Sequence, residues 1–187
     1  MISKASPQVS SLLISEPFML DPNFTRSIVL ICEHNEEGTL GLILNQPSNL
    51  LLQDVVEDLN GASFPLFIGG PVGMDGLQFV HKCYDRLGSG HDLGNGIYWG
   101  GNFEALKILI QNGEIKNDEI KFFIGYSGWS GQQLKDELSE NTWIVTNDFN
   151  PDLTFVHDEE NLWKEVIINL GPKYAHVAQF PINPQWN

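Results

Sequence analysis

The apolar positions of this chain change period along its length, and the change maps out the elements. Near the start they come in short unbroken runs: Leu12-Leu13-Ile14, then residues 27–33 with several β-branched side chains, then residues 39–44. Such runs predict strands, and the glycine-containing stretch His34-Asn35-Glu36-Glu37-Gly38 between the second and third predicts a hairpin. Leu52, Val55, Val56 and Leu59 recur at helical spacing, with Ser48 or Asn49 as a cap and Gly61 as a stop. Residues 65–68 and 77–84 read as strands joined through Gly69-Gly70-Pro71-Val72, with Leu77, Phe79, His81 and Cys83 on one face of the second. Residues 85–96 are polar and glycine-rich, which predicts a mobile loop.

The second half is dominated by helical spacing. Asn102 caps a helix carrying Phe103, Leu106, Leu109 and Ile110, and Gly113 ends it. Residues 120–126 form a strand that reaches a glycine corner, Gly125-Tyr126-Ser127-Gly128-Trp129, and a helix follows from about Ser130 to Leu138. Another strand covers 143–146. A last helix puts Leu162, Trp163, Val166, Ile167 and Leu170 on one face and closes at Gly171-Pro172; residues 180–184 are extended and proline-rich. Consecutive strands joined by hairpin-like turns favour antiparallel pairing over a doubly wound parallel sheet. The fold class predicted is α+β, with residues 1–187 as a single domain and about four helices.

Charge narrows the partners. Ten basic residues stand against 24 acidic ones, a net charge of −14, and only Arg26 and Arg86 are arginines. A surface of this sign repels phosphate backbones, so neither nucleic acid nor an anionic membrane is an expected partner. No stretch reaches the roughly 20 apolar residues that span a bilayer, and the Leu12-Leu13-Ile14 run is too short for a signal peptide. Two cysteines, Cys32 and Cys83, make no disulfide framework, and the setting expected is the reducing cytoplasm.

Several residues carry candidate chemistry. Ser127 and Ser130 lie among glycines, but a nucleophile elbow needs Gly-x-Ser-x-Gly, and tryptophan or glutamine stands where the last glycine belongs. Ser130 reads better as a helix cap. Cys32 with His34, and His81 with Cys83, sit two apart on strands and would share a face, a Cys2His2 set if the strands were neighbours. Zinc ligands usually sit on turns with wider spacing, so no metal is assigned. Arg26, His34, Asn45 and His81 are the candidate ligand-binding set, because polar side chains on or beside apolar strands need partners. One reading joins them around a small anionic ligand, with Arg26 supplying charge and Asn45 an orienting amide. The other is an internal network, with Arg26 paired to Asp21 or Glu33. The acidic clusters 118–119, 136–137 and 158–160 have no calcium-loop arrangement, and the glycine runs match no phosphate-loop fingerprint, so no cofactor is called for.

The order of these marks resembles the YqgE/AlgH family of bacterial proteins. The residues that carry the likeness are Asp21-Pro22-Asn23-Phe24, the strand from Arg26 to Leu30, Glu33-His34, Gly38, Gly41-Leu42, Asn45-Gln46-Pro47, Gly69-Gly70-Pro71-Val72, His81, the 125–129 corner and Gln133-Leu134. Where that family has Gly-Gln-Leu this chain has Gln132-Gln133-Leu134, with Gly131 one place earlier. The resemblance implies a twisted, largely antiparallel sheet folded into an open, barrel-like shape with flanking helices. It implies no established activity; some members carry a transcriptional-regulator label. Three functional readings follow: a binding protein for a small molecule or a protein partner, a DNA-binding regulator, and an enzyme with a site assembled from separated loops. The regulator needs a helix-turn-helix with a basic recognition helix, and no predicted helix supplies one.

Overall fold

The computed structural model describes residues 5–157 and 159–182. The end of the extended segment expected over 180–184, and Asp158 of one acidic cluster, lie outside the described residues. Strands β1 (Leu12–Ser15), β2 (Ile28–His34) and β3 (Gly38–Ile43) form an antiparallel meander, and β10 (Trp143–Thr146) pairs with the outer side of β1. Strand β9 (Ile120–Ser130) continues the sheet from β3, followed by β6 (Val72–His81), β8 (Ile97–Trp99) and β7 (His91–Gly94). The order runs from β10 to β7 without returning on itself, so the ten-stranded sheet is open.

Helices cover both faces, which explains why the early strands are apolar without alternation. Leu12, Ile14, Ile28 and Leu30 pack with Trp163 and Ile167 of α4 (Glu159–Asn169), while their neighbours Leu13, Val29 and Ile31 face Leu134 of α3 (Gly131–Ser139). A further cluster joins Phe79 and Phe122 to Leu106 of α2 (Phe103–Gln111). The caps read from the sequence are in place: Asn102 Oδ1 accepts from Ala105 N at 3.0 Å and Ser130 Oγ from Gln133 N at 3.2 Å.

Strand β9 is where the sheet forks. Its first half pairs in parallel with β5 (Pro65–Ile68), its second half antiparallel with β3, and β6 runs along its other side. The Gly69–Gly70 backbone crosses the fork, where Gly69 N donates to Ile124 O and Gly69 O accepts from Ile43 N. Only glycine fits here. A Cβ on Gly70 would sit 2.2 Å from Tyr126 O, and one on Gly125, whose φ is +67°, would sit 2.6 Å from Gly70 O. Ser127 is fully buried beside them and its hydroxyl donates to Gly69 O at 3.0 Å, a packing role that leaves no exposed nucleophile.

Three local expectations are corrected. Residues 47–51 form strand β4 (Pro47–Leu51) on β5, and the helix expected over 52–59 reduces to a single 3₁₀ turn at Leu52–Asp54. Leu52 N and Gln53 N donate to Phe64 O and Ala62 O, and Asp54 Oδ2 takes Leu51 N, so tertiary partners capture the donors that a helix would use. The strand expected over 77–84 runs instead from Val72 to His81, so Cys83 lies beyond it, and β9 lies between it and β5. The stretch expected as a mobile loop contains the one-turn helix α1 (Tyr84–Leu87) and β7; a second one-turn helix, α5 (Pro172–Ala175), follows α4.

Candidate functional site

The three segments that mark the sequence meet at one cleft. Asp21 and Phe24 come from the Asp-Pro-Asn-Phe turn, Pro71 and Val72 from the double-glycine crossing, and Gly128 and Trp129 from the end of β9. Helix α3 adds Gln133 and Glu137, β10 adds Trp143, and the space enclosed is about 330 Å³. Each contributor is held by local chemistry. Asp21 Oδ1 accepts from Asn23 N and Asp21 O from Phe24 N, closing the turn that swings Phe24 inward. Gly131 starts α3 where a Cβ would meet Glu36 O at 2.3 Å, so the glycine one place early lets the helix begin against the β2–β3 hairpin.

The lining includes three aromatic residues, and its charged groups are acidic. Phe24 lies 5.7 Å from Trp129 and 5.4 Å from Trp143, ring centroid to centroid, and the two indoles stand 5.8 Å apart at 87°. Both indole nitrogens donate to the same carboxylate oxygen, Glu137 Oε2, at 2.9 and 2.7 Å. Glu137 Oε1 accepts from Gln133 Nε2, one helical turn earlier, at 3.0 Å. A second, shallower hollow of about 400 Å³ shares Val72, Gly128 and Trp129 and is edged by Glu33 and Glu37.

The four residues singled out from the sequence do not converge on one site. Asn45 and Arg26 are neighbours: Asn45 Oδ1 accepts from Ile28 N at 2.9 Å and its Nδ2 donates to Arg26 O at 2.8 Å. The Arg26 side chain turns away, donating to Phe180 O and lying 4.7 Å over the Trp163 ring, and burial lowers its pKa. It lines a different hollow, of about 600 Å³, with Phe180 and Ile182. His34 Nδ1 meets Thr39 Oγ1 at 2.7 Å, at the other end of β2. His81 is fully buried opposite Ile120, at the far end of β9 from the Trp129 neighbour of Thr39, roughly 30 Å away along the strand.

The two Cys–His pairs are likewise apart. Cys32 Sγ lies 3.7 Å from Leu30 O, and among the described residues no group of three or more His, Cys, Asp or Glu side chains is arranged to hold a metal. Cys83 Sγ does meet His81 Nδ1, at 3.5 Å, with His81 Nε2 on Gly100 O at 3.0 Å. Burial raises the thiol and lowers the imidazole, so this is a neutral pair, thiol donating to Nδ1, rather than an activated thiolate.

A family profile described as AlgH-like matches residues 12–175. The chain belongs to the AlgH-like family. A UPF0301 protein of Cytophaga hutchinsonii is 41% identical to it over 178 residues, 94% of this chain and 97% of the relative. One from Bacteroides fragilis is 41% identical over 184 residues, 97% and 92% of the two chains. The solution structure of AlgH from Pseudomonas aeruginosa superposes with a TM-score of 0.72 at 28% identity, covering 96% of this chain and 98% of that one. The crystal structure of DIP2367 from Corynebacterium diphtheriae reaches 0.78 at 22% identity, over 96% and 95%, a likeness of fold. These AlgH-like relatives bring no activity with them, so the site must be argued from its own chemistry.

The glycine and proline marks carried the family likeness, while the candidate ligand set was Arg26, His34, Asn45 and His81, none of which lines this cleft; Glu137 and Trp143 did not announce themselves. In the sequence Glu137 is one of the two acids of the 136–137 cluster and Trp143 opens the strand over 143–146, where it is a buried core residue. The available signal was the spacing of Gln133 and Glu137, four apart on the helix that follows β9; residues 125–129, expected as a corner, run inside that strand.

Proposed function

We propose that this protein acts by binding a small organic molecule in the cleft between Phe24, Trp129 and Trp143. The observation that carries the reading is convergence. Segments near residues 21–24, 71–72 and 128–129 meet around one concave, aromatic-walled space with a few oriented polar groups, the usual composition of a ligand site. Another surface hollow, of about 530 Å³ beside the 59–64 turn and the end of α2, contains no residue of those segments.

The surroundings favour binding over DNA regulation. Helices α2 and α3 are separated by β9, and α3 and α4 by β10, which leaves no helix-turn-helix among them. A net charge of −14 opposes a phosphate polymer. Two buried free thiols, Cys32 and Cys83, suit the reducing cytoplasm. Among the described residues no helix is long and apolar enough to cross a membrane.

The test is a fragment screen on the ¹⁵N-labelled protein, reading the indole N–H signals of Trp129 and Trp143. Saturable shifts of those signals support the cleft; shifts confined to other parts of the protein move the site elsewhere and sink the reading.

A further inference from the structure

We infer that a second site, independent of the cleft, lies where Arg26 meets α4, and that it binds an amphiphilic monoanion, a carboxylate on an apolar body such as a short acyl chain. Arg26 and Lys164 line a hollow of about 600 Å³, and no carboxylate lines it among the described residues. In a chain with a net charge of −14, that local reversal of sign favours an anion there. The rest of the lining is mainly apolar, and Ile168, Phe180 and Ile182 are all exposed. An apolar space of this size with a few placed charges has the usual make-up of a small-molecule site.

The Arg26 guanidinium is firmly placed and only partly used. Its backbone has a φ of +48°, an uncommon region for a residue with a side chain. Asn45 holds that backbone, its Oδ1 accepting from Ile28 N and its Nδ2 donating to Arg26 O. The side chain then lies 4.7 Å over the Trp163 ring, with Nη2 donating to Phe180 O. Nε is sealed from water with no acceptor, and Nη1, which is not sealed, has none either among the described residues. Among the described residues no carboxylate pairs with Arg26 or Lys164, and burial lowers the Arg26 pKa. A cation held by neutral partners in a desolvated position is what a carboxylate at the open Nη1 would relieve. Lys164 and Ile168 stand four apart on α4, so one helix face offers a second charge beside an apolar contact. Phe180 is stacked on Phe18 at 5.4 Å, which braces the apolar wall on the other side. A neutral ligand would leave both charges unanswered, and a polyanion would be repelled by the chain as a whole.

The test reads two signals of the ¹⁵N-labelled full chain. One is the Arg26 Nε–H, sealed from water and one of only two arginine Nε–H signals in the chain. The other is the indole N–H of Trp163, whose ring lies against the guanidinium. Octanoate is titrated against octanamide, which lacks the charge, and against acetate, which lacks the apolar body. Octanoate should shift both signals saturably and bind about tenfold or more tightly than either control. Lys164→Gln and Ile168→Glu change exposed positions of α4 and should leave the other amide signals in place. The first should weaken octanoate several-fold, and the second, which puts a carboxylate into the hollow, should abolish its binding. Octanamide or acetate binding as tightly as octanoate overturns the inference, and so does octanoate leaving both signals unmoved. Signals perturbed by phosphatidylglycerol vesicles but not by octanoate would make this face a membrane contact and overturn it too. Octanoate shifts confined to the Trp129 and Trp143 indoles would sink this site while leaving the cleft reading intact.

Discussion

Trp129 and Trp143 share one acceptor. Their indole nitrogens, on strands β9 and β10, both donate to Glu137 Oε2, so a single carboxylate on α3 ties a helix to two strands. The indoles are only 5% and 2% exposed, and water cannot replace that acceptor easily. Glu137→Ala should therefore cost roughly 2–4 kcal/mol, the desolvation of two abandoned donors, whereas Glu137→Gln should cost about 1 kcal/mol. Urea unfolding followed by circular dichroism measures both. Equal, negligible losses would mean that the indoles find other partners.

The fork of β9 gives a sharper contrast between two glycines three residues apart. A Cβ on Gly125 would lie 2.6 Å from Gly70 O and 2.8 Å from Val72 O, at a φ of +67°. One on Gly128 would find its nearest neighbour, Tyr126 Cε2, at 3.7 Å. Gly125→Ala should lose about 3 kcal/mol or fail to fold, and Gly128→Ala should change stability by less than about 1 kcal/mol. Thermal melts of the two variants decide it; matched melting temperatures would contradict the geometry.

The sequence made some of this legible for identifiable reasons. The meander β1–β3 and helices α2–α4 could be read because their apolar runs, caps and glycine stops agree with the structure around them. Residues 52–59 misled because Leu52 and Leu59 are buried at helical spacing while the backbone between 51 and 53 bonds across to residues 54, 62 and 64. The insertion of β9 between β5 and β6 is a contact over some fifty residues, and no local pattern records it. For the site, the glycine and proline marks survive as the cleft's rim because they answer to backbone geometry. The polar set Arg26, His34, Asn45 and His81 shows only that these groups needed partners; each has one, at different places.

Arg86 and Glu119 form a two-pronged ion pair that links α1 to the turn before β9. Arg86 Nη2 lies 2.6 Å from Glu119 Oε1 and Nη1 lies 3.2 Å from Oε2, a bidentate geometry. The hydrogen bond from Arg86 is the main cause holding Glu119 below the usual glutamate pKa. The sign follows: above the unfolded value the folded state keeps the stabilised carboxylate, and the benefit is lost as pH falls through the depressed folded value. Both side chains are partly exposed, so Arg86→Lys, which loses the fork, should cost only about 1 kcal/mol at neutral pH. That difference should shrink on acidification below pH 4, measured by urea unfolding; a difference that grew instead would contradict the pairing.

Lys121 makes stability depend on pH at the alkaline end. Its side chain is 1% exposed, its Nζ donates to Val156 O at 2.7 Å, and the ammonium position lies 4.0 Å over the Phe67 ring. Burial pushes its pKa down to about 7, against a weaker upward pull from the Glu159 charge. His157 sits against the same Phe67 ring, with its Nε2 on Asn117 O. In the unfolded chain the lysine titrates near its ordinary 10.5. Between those values the unfolded chain binds the proton and the folded one does not, so raising the pH from 7 towards 10.5 should stabilise the fold. Below pH 7 the penalty is constant. Lys121→Met removes this titration, so the stability of the natural chain minus that of the variant should rise by roughly 3–5 kcal/mol over that window. Guanidinium unfolding of both proteins at pH 7, 8.5 and 10 measures the difference; a flat difference would show that Lys121 is solvated in the folded state.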